Sequence, residues 1–180
     1  MTRPRLATVW LGGCSGCHMS FLDMDEWLFD LAGMADVVYG PLVDEKVFPD
    51  DVDVTLVEGA VANSDNLEMA HQVRARSRMV MSFGDCAVTG NVTALRNPFG
   101  DPAGMLQRIY VKAPDRSSGV PDAEGIVPTL LPQVQPLHQV IPVDVWLPGC
   151  PPPAARIRAA IEHLLAGGDP AEVSDGMRFG

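Results

Sequence analysis

The sequence lacks any long apolar run, and none approaches the roughly 20 residues that a membrane-spanning helix needs. The first residues do not resemble an export signal either. Their apolar stretch is short, no small-residue cleavage site follows it, and the chain has no adjacent pair of arginines. We therefore expect a cytoplasmic protein without a membrane span.

Basic residues are scarce as well. The 13 lysines and arginines are outnumbered by 23 aspartates and glutamates, which gives a formal charge of −10. Such a surface repels phosphate backbones, so we expect no nucleic-acid partner. The chain is 47% hydrophobic and 20% charged, which is typical of a folded domain, and we assign residues 1–180 to a single one.

Cysteine occurs only four times, at Cys14, Cys17, Cys86 and Cys150. Structural disulfides are not expected in a cytosolic chain, because the cytosol keeps thiols reduced. Four thiolates are the number that completes one zinc site or one iron–sulfur cluster. The positions of the cysteines must therefore distinguish between these possibilities.

Short apolar runs alternate with segments of helical periodicity, which predicts an α/β fold with an open parallel sheet. The predicted strands are residues 5–11, 36–39, 53–57, 78–83 and 143–147, and the predicted helices are 15–32, 64–76 and 153–165. A flavodoxin-like strand order of 2-1-3-4-5 fits best. Residues 97–142 form a long proline-rich insertion before the last strand, which we expect to lie against a partner subunit rather than to be a free surface excursion. The tail from residue 169 has no clear structure.

Each cysteine follows a predicted strand: Cys14 and Cys17 the first, Cys86 the fourth and Cys150 the fifth. The carboxyl ends of parallel strands meet at one edge, where open α/β sheets bind ligands. Glycines accompany every cysteine and permit close approach of the backbone. Helix N-termini and backbone N–H groups can then offset the negative charge of a cluster bound by thiolates. We predict that the four cysteines converge on one metal centre.

Other interpretations explain less of this pattern. A thioredoxin-like CxxC pair would leave Cys86 and Cys150 without a role. Structural zinc usually draws on two close cysteine pairs, whereas 64 residues separate Cys86 from Cys150. The segment from Gly12 to Cys17 does not fit the GxGxxG dinucleotide motif. A flavin would compete with the cysteines for the same edge. Zinc and a redox-active pair remain alternatives.

Several short motifs together resemble the small subunit of nickel–iron hydrogenases and the related 20-kDa cluster-bearing subunit of respiratory NADH:quinone oxidoreductase. They are Cys14-Ser15-Gly16-Cys17, Val57-Glu58-Gly59, Gly84-Asp85-Cys86-Ala87 with Thr89-Gly90, Asn97-Pro98, and Leu147-Pro148-Gly149-Cys150-Pro151-Pro152. The matches run from residue 7 to about residue 165.

Two departures narrow the resemblance. The respiratory subunit has adjacent cysteines where this chain has Cys14-x-x-Cys17, which favours the hydrogenase subunit. Exported hydrogenase small subunits add a signal peptide and a second cysteine-rich region, and the chain shows neither. It is therefore most similar to the short, single-cluster small subunit of soluble bidirectional hydrogenases linked to NAD or NADP.

The resemblance implies one [4Fe-4S] cluster, bound by Cys14, Cys17, Cys86 and Cys150, close to a nickel–iron site on a separate large subunit. Electrons would pass to a diaphorase module with flavin and iron–sulfur subunits, and no catalytic residue would lie on this chain. The enzyme would be a hydrogen:NAD⁺ oxidoreductase. A subunit of a quinone-reducing or formate-linked complex and a zinc-stapled interaction module are the alternatives. Glu58 lies at the end of the third strand. It either relays protons or fixes the interface with the large subunit, or it is a structural acid without a functional role.

Overall fold

A central parallel sheet organises the chain, of which the computed structural model describes residues 3–114 and 119–175. The strands are β1 Arg5–Trp10, β2 Asp36–Tyr39, β3 Val52–Glu58, β4 Val61–Asn63, β5 Ser77–Phe83, β6 Leu130–Gln135 and β7 Val145–Leu147. Five of them form the sheet in the order β2-β1-β3-β5-β7, and β4 and β6 form a separate antiparallel pair. The predicted α/β class and the 2-1-3-4-5 order of the sheet strands are confirmed.

Helices cover both faces of this sheet. They are α1 Gly16–Leu22, α2 Trp27–Met34, α3 Ser64–Arg76, α4 Asp85–Thr89, α5 Asn91–Ala94, α6 Pro102–Tyr110, α7 Ala154–Leu165 and α8 Pro170–Asp175. No helix in the described ranges is long and apolar enough to cross a membrane.

The central strand β3 shows why the apolar runs predict this architecture. It pairs in parallel with β1 on one side and β5 on the other. Successive residues of a strand point to opposite faces. Leu56 packs with Ile157 of α7 in one core cluster, and Val57 packs with Val73 of α3 in the other. Both faces of β3 are therefore buried, which requires a continuous apolar sequence rather than an alternating one.

The predicted helix over residues 15–32 is two helices, α1 and α2. They are separated by a turn over residues 23–26, in which Asp25 has a φ of 48°. A right-handed helix cannot continue through a left-handed residue, and aspartate is one of the few side chains that tolerate that conformation. The apolar periodicity continues across the break because both helices pack on the same face of the sheet.

The proline-rich insertion is more ordered than a loop, because it contains α6 and β6. The Asn97 side chain fixes β6 through two hydrogen bonds: Nδ2 donates to the Val134 carbonyl at 2.9 Å, and Oδ1 accepts from the Val134 N–H at 2.8 Å. Arg96 donates to the carbonyls of Ala62 and Leu131, one in each strand of the β4–β6 pair. Residues 115–118 lie outside the described residues.

The expectation of an unstructured tail is wrong for residues 170–175, which form α8. The Trp146 N–H of edge strand β7 donates to Ser174 Oγ at 3.2 Å. An edge strand exposes unpaired backbone groups, and α8 covers one of them. Residues 176–180 of the tail lie outside the described part of the chain.

The sheet core yields a stability prediction. Leu56 is fully buried in β3, whereas Leu42 is 70% exposed. Leu56→Ala should lower the free energy of unfolding by about 2–5 kcal/mol, because it leaves a cavity in a close-packed core. Leu42→Ala, the matched control, should change it by less than about 0.5 kcal/mol. Urea denaturation of the purified variants measures both values, and equal effects would contradict the packing of β3.

Candidate metal centre

The four cysteines lie at the carboxyl edge of the parallel sheet. Cys14 follows β1, Cys17 is in the first turn of α1, Cys86 is in α4 directly after β5, and Cys150 follows β7. All four are free thiols. Cys17 is buried, Cys86 is half-buried, and Cys14 and Cys150 are exposed. The structure thus brings the four residues to one edge, with Cys17 as the floor of the site and Cys14 and Cys150 at its rim.

The four sulfur atoms lie close enough to influence one another's ionisation. Burial is the main cause that raises the pKa of the Cys17 thiol, and the charges of Glu58 and of the other three cysteines raise it further. Burial also raises the pKa of Cys86, and Cys14, Cys150 and Glu58 add to that effect. Four neighbouring thiolates are therefore unfavourable without a positively charged centre, and metal ligation requires the thiolate form. This donor set fits a metal group that supplies positive charge.

A glycine brings the β5 loop against the floor of the site. Gly84 has a φ of 84°, in the left-handed region that favours glycine. A Cβ atom at this position would collide with the sulfur of Cys17. No side chain fits between the loop and Cys17, which explains in physical terms why glycine precedes Asp85-Cys86.

Hydrogen bonds join the Cys86 loop to the Cys150 loop. The Gly84 N–H donates to the Leu147 carbonyl at 2.8 Å, and the Asp85 N–H donates to the Gly149 carbonyl at 2.9 Å. In return the Gly149 N–H donates to Asp85 Oδ1 at 2.7 Å. Asp85 therefore fixes two cysteine loops relative to each other, a role that its position beside Cys86 does not reveal.

Two N–H donors reach the sulfur atoms from the start of α5. Asn91 Nδ2 donates to Cys150 Sγ at 3.4 Å. The Val92 backbone N–H donates to Cys86 and lowers the pKa of its thiol. Asn91 is not among the residues predicted from sequence, and its only local signal is the Gly90-Asn91 pair, a combination that favours left-handed turns.

Glu58 is buried at the end of β3, with 1% of its surface exposed. Its Oε2 atom accepts a hydrogen bond from the His18 backbone N–H at 3.0 Å and also contacts His18 Nδ1. The N-cap residue of α1, Ser15, makes no side-chain hydrogen bond of its own. From the end of β3, Glu58 therefore provides the hydrogen-bond acceptor for an N–H group in the first turn of α1. This contact holds the helix turn that carries Cys17.

The arrangement does not match a preformed site for a single ion. Within residues 3–114 and 119–175, no three His, Cys, Asp or Glu side chains form a group that could hold one metal ion.

Comparisons with known proteins agree with the fold. The family described as NADH ubiquinone oxidoreductase, 20 kDa subunit, matches residues 14–164. The NAD-reducing hydrogenase HoxS subunit delta of Cupriavidus necator is 35% identical over 169 residues, which cover 91% of this chain and 79% of that protein. A subunit of the F420-non-reducing hydrogenase of Methanothermobacter thermautotrophicus is 35% identical over 170 residues, which cover 91% of this chain but only 54% of that protein.

A solved structure is also similar to this chain. It is an NAD⁺-reducing [NiFe]-hydrogenase in the H₂-reduced state, with a TM-score of 0.88, 36% identity, and coverage of 93% of this chain and 94% of that one. The chain belongs to the family of the 20-kDa subunit of NADH ubiquinone oxidoreductase. The resemblance to hydrogenase small subunits that its motifs indicate is confirmed.

The contact between Glu58 and His18 yields a second stability prediction. Glu58→Ala should lower the free energy of unfolding by about 1–3 kcal/mol, because a buried N–H donor loses its acceptor. Glu58→Gln should cost less, since an amide oxygen can still accept from the His18 N–H. Glu68→Ala, at an exposed glutamate of α3, is the control and should change the value by less than about 0.5 kcal/mol. Urea denaturation would contradict the capping role if Glu58→Ala were no more destabilising than Glu68→Ala.

Proposed function

We propose that this chain is the electron-transfer small subunit of a cytoplasmic NAD(P)-reducing [NiFe] hydrogenase. In this proposal Cys14, Cys17, Cys86 and Cys150 bind a single [4Fe-4S] cluster. The observation that carries the proposal is the group of four free thiols at one sheet edge, whose charges act on one another. The similarity to the HoxS delta subunit, which the chain matches over most of both proteins, supports the link to hydrogen and NAD.

The residues of the chain fit a cluster in three ways. The four sulfur atoms supply a complete ligand set for a four-iron cluster. Gly84 leaves room beside Cys17, and N–H groups of Asn91 and Val92 stabilise negative charge on Cys150 and Cys86. When bound, such a cluster takes up and releases single electrons. The chain holds the ligands in place, and the exposed rim residues Cys14 and Cys150 lie where a partner can exchange those electrons.

Exposed apolar side chains lie near the cysteine edge and support a large subunit as partner. Trp10, at the carboxyl end of β1, is 47% exposed, and Met19 of α1 is 64% exposed. Val92 and Leu95, in and after α5, are also exposed. Exposed apolar patches mark protein–protein contacts. In our proposal the nickel–iron site lies on the subunit that covers this surface.

The chain is a single domain, and its insertion over residues 97–142 is the proposed contact for further subunits of the complex. It exposes Phe99, Ile109 and Ile126 to solvent. We assign the diaphorase subunits, with flavin and iron–sulfur clusters, as additional partners of the complex. This assignment rests on the relatives that are named as NAD-reducing enzymes.

Replacement of a single ligand tests the proposal. The purified complex should contain about four irons in this subunit and a reducible cluster. Cys86→Ser should remove the electron paramagnetic resonance signal of that cluster and abolish hydrogen-dependent NAD(P) reduction, because the electron path is broken. The large subunit should still activate hydrogen, measured as isotope exchange between D₂ gas and the protons of water.

Three results would contradict this assignment. Full NAD(P) reduction by the Cys86→Ser complex would exclude Cys86 as a ligand of the relay. Zinc in place of iron, after anaerobic purification of the wild-type complex, would favour a zinc-stapled module. Reduction of quinone rather than NAD(P) by the wild-type complex would instead favour the respiratory relatives of the family.

A glycine pair tests whether close packing is needed for the cluster. Gly84→Ala should strongly reduce the iron bound per chain, because the new Cβ atom collides with the sulfur of Cys17. Gly100→Ala is the matched control, since Gly100 has a φ of 78° but a Cβ atom added there would meet no other atom within 4 Å. Both variants bear backbone strain, but only Gly84→Ala should lose iron. Equal iron contents would show that the contact with Cys17 is unimportant.

A further inference from the structure

A tight turn joins α4 to α5 beside the cysteines. Gly90 and Asn91 are successive residues with positive φ, at 86° and 35°. Thr89 Oγ1 accepts from the Asn91 N–H at 3.3 Å and donates to the Asp85 carbonyl at 2.9 Å. Asparagine tolerates the left-handed conformation better than most residues. The turn therefore fixes the position of the Asn91 backbone next to the loop that carries Cys86.

The side chain of Asn91 crosses from this turn to the other cysteine loop. Its Nδ2 atom donates to Cys150 Sγ at 3.4 Å, a contact between residues 59 positions apart in sequence. Sulfur is a large acceptor, so this distance is within hydrogen-bonding range. Among the described residues, no other side chain donates a hydrogen bond to any of the four cysteine sulfurs.

Asp85 and His18, two of the polar residues that adjoin cysteines in sequence, make other contacts. The Asp85 carboxylate accepts from the Gly149 N–H rather than contacting a cysteine sulfur. His18 directs Nδ1 to Glu58. Asn91 is thus the side chain that places a neutral N–H group on a cysteine sulfur.

We propose that Asn91 raises the reduction potential of the cluster through its hydrogen bond to the Cys150 sulfur. This inference rests on the proposed function, in which Cys150 is a cluster ligand. Reduction adds one electron from the partner centre to a group that already carries negative charge, and no covalent bond forms or breaks. An N–H donor stabilises the more negative state more strongly, so it makes reduction easier.

Two substitutions separate the hydrogen bond from the backbone conformation. Asn91→Gly removes the amide and retains a residue that adopts positive φ freely. Asn91→Asp keeps the shape of the side chain but replaces the N–H donor with negative charge. Asp51→Gly is the control, because Asp51 is an exposed residue with a φ of 55° that directly precedes β3, at the amino edge of the sheet.

The experiment is a redox titration of the anaerobically purified complex, monitored by electron paramagnetic resonance. The signal to follow is the one that Cys86→Ser removes. At the wild-type midpoint, Asn91→Gly should lower the ratio of reduced to oxidised cluster roughly threefold, which corresponds to about 30 mV for a one-electron couple. Asn91→Asp should lower the ratio further, and Asp51→Gly should leave it unchanged.

The outcomes distinguish the two proposals. Wild-type midpoints in both Asn91 variants, at full iron content, would overturn the role of Asn91 and leave the proposed function intact. Loss of iron from both variants but not from Asp51→Gly would also overturn it, since Asn91 would then act in cluster retention rather than in potential. A wild-type complex without any signal sensitive to Cys86→Ser would overturn the proposed function itself.

Discussion

The crowding of four cysteine thiols at one sheet edge, where burial raises the pKa of two of them, is the constraint on which the rest of the site depends. Burial and neighbouring negative charge both raise the pKa values of Cys17 and Cys86, so the chain concentrates groups that do not ionise readily together. A group that brings positive charge makes the same arrangement favourable. The surrounding features serve this purpose: a glycine that opens space at Cys17, N–H donors on two sulfurs, and hydrogen bonds that fix the cysteine loops.

The site is built as a rigid floor and an accessible rim. Cys17 lies in the floor, where the buried Glu58 carboxylate holds the first turn of α1. Cys14 and Cys150 lie at the rim, and Trp10 at the end of β1 and Met19 in α1 are exposed apolar side chains. An electron-transfer site needs both the buried and the exposed cysteines. The buried ligand keeps the geometry constant, and the exposed ligands allow a partner protein to approach. The proposed nickel–iron subunit would cover the rim.

The central features could be predicted from sequence because they follow from local patterns and from the geometry of a parallel sheet. Buried strands such as β3 appear as apolar runs, and cysteines that follow strands must meet at the carboxyl edge. The remaining features depend on contacts between distant residues. The hydrogen bonds from Asn91 to Cys150 and from Gly149 to Asp85 span 59 and 64 positions. The break at Asp25 and the helix α8 over the edge of β7 likewise depend on the backbone and packing around them, which hydrophobic periodicity does not show.

Anomalous diffraction at the iron edge, on crystals of the anaerobically purified complex, tests the central claim most directly. The proposal predicts four iron peaks grouped among the sulfur atoms of Cys14, Cys17, Cys86 and Cys150, and no other iron site on this chain. A single metal peak beside the cysteines that appears only in data collected at the zinc edge would contradict it. Iron bound elsewhere on the chain, with the four thiols free, would contradict it equally.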